Sequence, residues 1–378
     1  MSEIKVNSIK GVGASAAAIT VNNTDGTCTA NITNNLSNRN LIINGAMQVA
    51  QRGTSSTADG YGSVDRFKCN LSGNDENATH EQADVASGTT PYTLGFRKCF
   101  KITNGNQTSG AGAGDIVEFG QKIEAQNIAN SGWNYTSASS FITLSFWVKS
   151  SVAQVFYGYL RTRDGTSYSY PFSTGSLSAN TWTKVTKTIP GNSNLQIDNN
   201  NDSGFEIYFD PFLGTTYTND SRSLDSWAAH ADASHFPDMT STWYTTNDAT
   251  FEITGVQLEV GSVATDFEHR SFAVEKRLCK RYYEELKPKL YILARYSHHD
   301  GAPYGQYHFN VEKRAAPTCS IDTTGGTFES STGYSGNPSF TDTTVDSTTI
   351  YGANSVTAGG ILYLHTSSSG LLKFDAEL

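Results

Sequence analysis

The stretch that most constrains this chain is "FEITGVQLEVGSVATDF" at positions 251–267. Phe251, Ile253, Val256, Leu258 and Val260 are apolar, and Glu252, Thr254, Gln257 and Glu259 stand between them. A period of two sends the two sets to opposite faces of a strand, one toward a core and one away from it. The alternation slips by one residue at Gly255, as it does at a bulge, so the segment reads as a half-buried strand with a kink. Comparable signals occur at 96–102, 115–125, 141–150, 153–165, 181–191 and 204–212, separated by clusters of Gly, Asn, Ser and Asp. No amphipathic helix lies between them, which predicts an antiparallel sandwich or barrel.

Composition points the same way. Of 378 residues, 37% are hydrophobic and 17% charged, and 19 Tyr with 19 Phe supply the apolar bulk. That mixture favours short strands joined by polar turns. A net charge of −9 argues against a nucleic-acid surface, which should be basic. Cys28, Cys69, Cys99, Cys279 and Cys319 are odd in number and lack a CxxC, so neither a disulfide framework nor a cysteine zinc site is expected. No apolar run reaches membrane-spanning length, so no membrane insertion is expected. The opening "MSEIKVNSIKGVGASAAAI" lacks the apolar core of a signal peptide. The expected site of synthesis is a reducing cytoplasm.

Four regions follow from the pattern. Residues 1–40 are polar and small, which predicts an extended arm ordered by partners. Residues 41–270 carry the strand signals, beginning with a short strand around Ile42 and Ile43 that turns at Asn44-Gly45. Within them, 213–245 is too long for a simple turn. In "SFAVEKRLCKRYYEELKP" (271–288), Val274, Leu278 and Tyr282 fall four apart, with Ser271 as N-cap and Pro288 as stop, which predicts a connecting helix. Residues 289–378 read as a second, smaller β domain.

Alternation also assigns faces. Ile142, Leu144, Phe146 and Val148 point inward with Phe156, Leu160, Phe205, Ile207 and Phe209. Trp147, Tyr157, Tyr159, Arg161, Tyr208 and Asp210 then point outward. Rings among polar groups suit sugar, whose C–H face packs on an aromatic while its hydroxyls meet hydrogen-bonding side chains. The same residues suit a subunit contact. A third reading has another part of the chain cover them.

No catalytic set emerges, and the chain is expected not to be an enzyme. "SGAGAG" (109–114) lacks the Lys-Ser/Thr and helix start of a phosphate loop. "HHD" (298–300) reads as a solvated turn, with no third ligand spaced to make a metal site. In the long loop, Trp227, His230, His235, Trp243 and Tyr244 gather aromatic and polar side chains and make it a binding candidate, against the reading that its own aromatics pin it. No cofactor is implied.

Seven segments in order, "NLIINGAMQVAQRGTS", "YGSVDRF", "GQKIEAQNI", "ITLSFWVKSS", "TWTKVTKTI", "ITGVQLEVGSVATDFEHR" and "CKRYYEE", resemble a family of bacteriophage tail fibre and tail-appendage proteins with a jelly-roll domain similar to carbohydrate-binding modules. The resemblance covers about residues 40–286 and carries no fixed ligand motif. It implies a jelly-roll β-sandwich followed by a short helix and a C-terminal β domain at the distal end. It further implies a virion location in the tail, a homotrimer, attachment to other tail proteins through the arm, and recognition of a host surface polysaccharide or receptor. The alternatives are a structural tail component whose faces are used by neighbouring subunits and a polysaccharide depolymerase.

Overall fold

A computed structural model describes residues 38–286 throughout, together with 8–10, 12, 19–21, 24 and 28–30 before them and 292–294, 304–322, 328–329, 337–351, 362–366 and 371–378 after them. The chain is all-β. In the arm, β1 (Ser8–Ile9), β2 (Ile19–Val21) and β3 (Cys28–Ala30) form a small antiparallel sheet.

The jelly roll consists of two six-stranded antiparallel sheets. The strands are β4 (Ser55–Ser56), β5 (Lys68–Ser72), β6 (Thr79–Asp84), β7 (Lys98–Thr103), β8 (Ile116–Glu124), β9 (Phe141–Ser150), β10 (Val155–Thr162), β11 (Tyr168–Ser176), β12 (Thr183–Pro190), β13 (Ser203–Leu213), β14 (Ala228–Ala229) and β15 (Thr250–Val260). One sheet has the order β14-β11-β10-β13-β8-β5 and the other β12-β9-β15-β7-β6-β4. Short helices α1 (Thr90–Thr93), α2 (Ala125–Ala129) and α3 (Thr242–Thr245) lie in the connections.

The inward faces meet in a run of phenylalanines. Phe100 stacks on Phe119 at 4.7 Å, Phe119 on Phe209 at 5.4 Å, and Phe146 meets Phe209 edge-on at 5.0 Å. Phe251 and Phe156 extend the run at 4.9 Å. All are buried, as alternation predicts. The kink is also present: β15 slips against β9 between Thr254 and Gln257, with Gly255 at φ 64°. A Cβ there would stand 2.6 Å from the Phe96 ring, so both the backbone angle and the space require glycine.

Residues 40–46 form turns rather than the predicted strand. Asn40 decides this. Its side chain donates to the Val256 carbonyl (3.1 Å) and accepts from the amides of Ile42 (3.0 Å) and Leu258 (3.1 Å), giving the bulged β15 the partners its ladder lacks. The exit from the sandwich closes on the same segment. Glu268 accepts from the Asn38 and Asn40 amides, and the Arg270 guanidinium donates to the Asn40 and Ile42 carbonyls.

The connecting helix is shorter than predicted. Helix α4 spans Phe272–Lys280, capped by the Ser271 hydroxyl, and the chain then turns into β16 (Tyr283–Leu286). Pairing with the last strand, β24 (Leu371–Asp375), outweighs the helical period of this segment. The stripe is split: Tyr282, just past the helix, is buried, and Leu278 is partly buried. Glu275 and Cys279 face inward, Glu275 accepting from the Asn44 amide, while Val274 is half exposed.

Between β16 and β24 run β17 (Ile292–Ala294), β18 (Tyr304–His308), β19 (Thr318–Asp322), β20 (Phe328–Glu329), β21 (Ser339–Thr341), β22 (Ser347–Tyr351) and β23 (Leu362–Thr366), in three-stranded sheets. Ile350, Leu372 and Phe374 form the small core of this C-terminal unit. It docks on the jelly roll by charge: Arg281 holds Glu124 at 2.7 and 2.8 Å, and Arg66 and Arg52 meet Glu377. The "HHD" segment lies outside the described residues.

Candidate functional site

The six outward residues separate into two groups on opposite sheets. Tyr157, Tyr159 and Arg161 on β10 pair with Asp210, Tyr208 and Glu206 on β13. Trp147 lies on β9 of the other sheet, so the six residues do not share one face. Alternation gives each strand its faces but not the sheet to which it belongs.

The β10–β13 face is covered. Residues 214–241 fold back over it, with Phe236 stacked on Tyr157 at 5.0 Å and His235 edge-on to Tyr159 at 4.7 Å. Tyr159 stacks on Tyr208 at 5.0 Å, and both are buried. Opposite Tyr208, Gly120 leaves room for the ring, since a Cβ would stand 2.5 Å from it. The cover is secured by main-chain hydrogen bonds, including Asp225 N–H to the Pro171 carbonyl and His230 N–H to the Ser167 carbonyl, both 2.8 Å.

Beneath Tyr159 lies a carboxyl pair that the sequence does not reveal. Glu118 accepts from the Tyr159 hydroxyl (2.9 Å) and from Asn70 (2.5 Å). Asp210 is fully buried, and no N–H or O–H of another residue reaches its oxygens. Burial and the adjacent Glu118 carboxylate push Asp210 well above the usual carboxylate range. Burial beside a second carboxyl favours the protonated form of Asp210, and a proton on it is the donor that would join it to Glu118.

The loop aromatics also serve as structure. Trp243 is buried edge-on to Phe156, and its indole N–H donates to the Thr250 carbonyl at 3.1 Å. Tyr244 stacks on Phe212 at 4.3 Å. Trp227 packs on Tyr170 and donates to the Pro190 carbonyl at 2.7 Å. Trp243 and Tyr244 are fully buried, whereas Trp227 stays partly exposed. His230 and His235 lie together over Tyr159, beside Asp232.

The other sheet is covered only in part: residues 261–270 bury Thr143 and Glu259, while Trp147, Lys149 and Lys101 stay accessible. Glu81, Lys101, Glu252 and Lys149 cross β6, β7, β15 and β9 in register, with ion pairs of 2.9 Å (Lys101–Glu81) and 2.8 Å (Lys149–Glu252). Lys149 sits 5.2 Å from the Trp182 ring. In the next row Trp147 stands between Lys184 and Thr254. Its half-buried indole walls a cleft of about 250 Å³ floored by Ser145 and Gly255 and edged by Lys184, Asp266 and His269. Phe96, Phe267 and His269 form the far wall, with ring centroids 4.9–5.0 Å apart. Rings on two sides and hydroxyl, ammonium and carboxylate groups between them can hold a flat, hydroxylated ligand. Trp182 was within reach of the sequence, because it continues the outward set of Lys184 and Thr186. The 265–269 wall was not, because only the chain's return over the sheet places it there.

No family model matches the sequence, and no curated protein matches it. Among solved structures the chain is similar to the enzymatically active domain of tailspike protein 4 of bacteriophage CBA120 (12% identity, TM-score 0.30), matching 59% of this chain but only 21% of that one. It is also similar to a CBM4 module (14%, 0.30), over 58% of this chain and 98% of that one. A third is a putative sugar binding protein from Bacteroides thetaiotaomicron (12%, 0.32), over 59% and 100%. The jelly roll itself is established by the sheet order and register above.

Proposed function

We propose that this chain is a receptor-binding component of a phage tail, a tail fibre or related appendage, that attaches the virion to a host surface glycan without cleaving it. The observation that carries the reading is the Trp147 cleft, an aromatic and polar recess in the part of this sheet face that residues 261–270 leave accessible. The tail assignment is supported by the seven ordered segments within residues 40–286. At about 250 Å³ the cleft is below the roughly 300 Å³ of a drug-sized pocket, which favours one sugar unit at a time. Asp266 is the one carboxylate in its lining, whereas glycoside hydrolysis needs two flanking the bond.

The test is affinity electrophoresis of the full chain against a panel of bacterial surface polysaccharides. At least one should retard the wild type, and Trp147→Ala should weaken that retardation at least tenfold while leaving the melting transition cooperative. Equal retardation of the variant would remove the cleft from recognition.

A subunit-contact reading is favoured by a different observation. The outward stripe of α4 places Val274 and Leu278 in a groove of about 730 Å³ with Leu41, Ile43 and Val260. Apolar side chains gathered there suit a homotrimer contact. Light scattering should give a mass near three times 40.9 kDa, and Val274→Glu should lower it to that of one chain. A wild-type monomer would overturn the trimer.

A further inference from the structure

We propose that His230, Asp232 and His235 bind one divalent transition-metal ion of the zinc type, clamping the covering segment onto Tyr159. One ligand atom from each lies within 4.8 Å of the others. The His230 Nε2 to Asp232 Oδ1 separation, 3.1 Å, is already close to the roughly 3.4 Å between neighbouring ligands of a tetrahedral zinc with bonds of about 2.0–2.1 Å. Asp232 is exposed, so its carboxylate can turn toward an ion between the rings.

The imidazoles are built into the fold. The His230 side chain is 4% exposed and His235 8%. Neither Nδ1 has a hydrogen-bond partner among the described residues, and His230 faces Asp232 through Nε2, the nitrogen it offers to an ion. Backbone hydrogen bonds place them: His230 N–H to Ser167, His235 N–H to Tyr217 and Ser234 N–H to Ala231, which turns Asp232 toward both rings. The rings stand 5.1 Å apart and nearly perpendicular, each against Tyr159.

Chemistry selects the ion. Two neutral imidazoles and a carboxylate suit zinc, whereas calcium and magnesium take oxygen ligands. Arg161 opposes a cation here, and Asp232 offsets it. Three protein ligands leave a fourth position for water or an outside donor, next to a recess of about 140 Å³ lined by Glu118, Tyr159 and Tyr217.

The test is equilibrium dialysis of the chelator-treated full chain against zinc chloride at micromolar free zinc, with bound metal counted by mass spectrometry. One zinc per chain is expected. Asp232→Asn, at an exposed position, should weaken binding at least tenfold without moving the melting temperature in chelator, and His230→Gln with His235→Gln should abolish it. Cobalt should give the visible absorption of a tetrahedral site in the wild type and not in the double variant. No zinc on the wild type, or unchanged stoichiometry in the double variant, would overturn the site.

Discussion

The two outer faces of the jelly roll carry similar residues and have opposite fates. On β10 and β13, Tyr157, Tyr159, Tyr208 and Asp210 lie under residues 214–241 and act as a second core. On β9, β12 and β15, Trp147, Lys184 and Gly255 border an open cleft. The strands alternate equally well in both sheets. What differs is where a long connection returns, and that settles whether an outward tyrosine is structure or surface.

Three measurements break or sharpen this contrast. Phe236→Ala, which removes the ring stacked on Tyr157, should cost about 3 kcal/mol in urea unfolding, because a buried ring leaves a cavity behind. Trp147→Ala on the open face should cost about 1 kcal/mol. Equal losses would mean that the two faces are energetically alike.

The second concerns the proton between Asp210 and Glu118, which also face Tyr159, Asn70, Tyr208 and Glu206. A carboxyl raised in the folded state contributes stability that is fully present below its unfolded pKa, about 4, and is lost as pH rises toward the folded value. Asparagine at 210 can donate to Glu118 without titrating. The Asp210→Asn melting temperature should therefore overtake that of the wild type as pH rises. Parallel melting profiles would rule out the shared proton.

The smallest effect belongs to the open face. Lys101→Ala removes a partly exposed member of the charge row and should change stability by no more than about 1 kcal/mol, and by less in high salt. A larger loss would show that the row is a cooperative network.

Much of this architecture was legible in the sequence, for a physical reason. Strands β8, β9, β10, β13 and β15 cross the middle of their sheets, so their apolar positions cannot vary freely, and the bulge at Gly255 shows as a slipped register. Strand β6, "THEQAD", carries little apolar signal near the sheet edge, and β11 contains Pro171 and Gly175, so neither stands out. Helix α4 misled because its inward face holds Glu275, a buried carboxylate satisfied by the Asn44 amide and Arg270, which no hydropathy pattern marks as core. The candidate site was half legible. Trp147 could be found by counting residues along one strand, whereas Phe96, Phe267 and His269 reach it from connections whose paths leave no periodic trace.

The clasp of Asn38, Asn40, Glu268 and Arg270 has a mechanical consequence. The chain enters and leaves the sandwich at one corner, so tension between the arm and the C-terminal unit meets these hydrogen bonds before it reaches any β ladder. While these few polar contacts hold, a pull along the molecule bypasses the phenylalanine interior and leaves the sandwich beside the line of force as a cargo rather than a link.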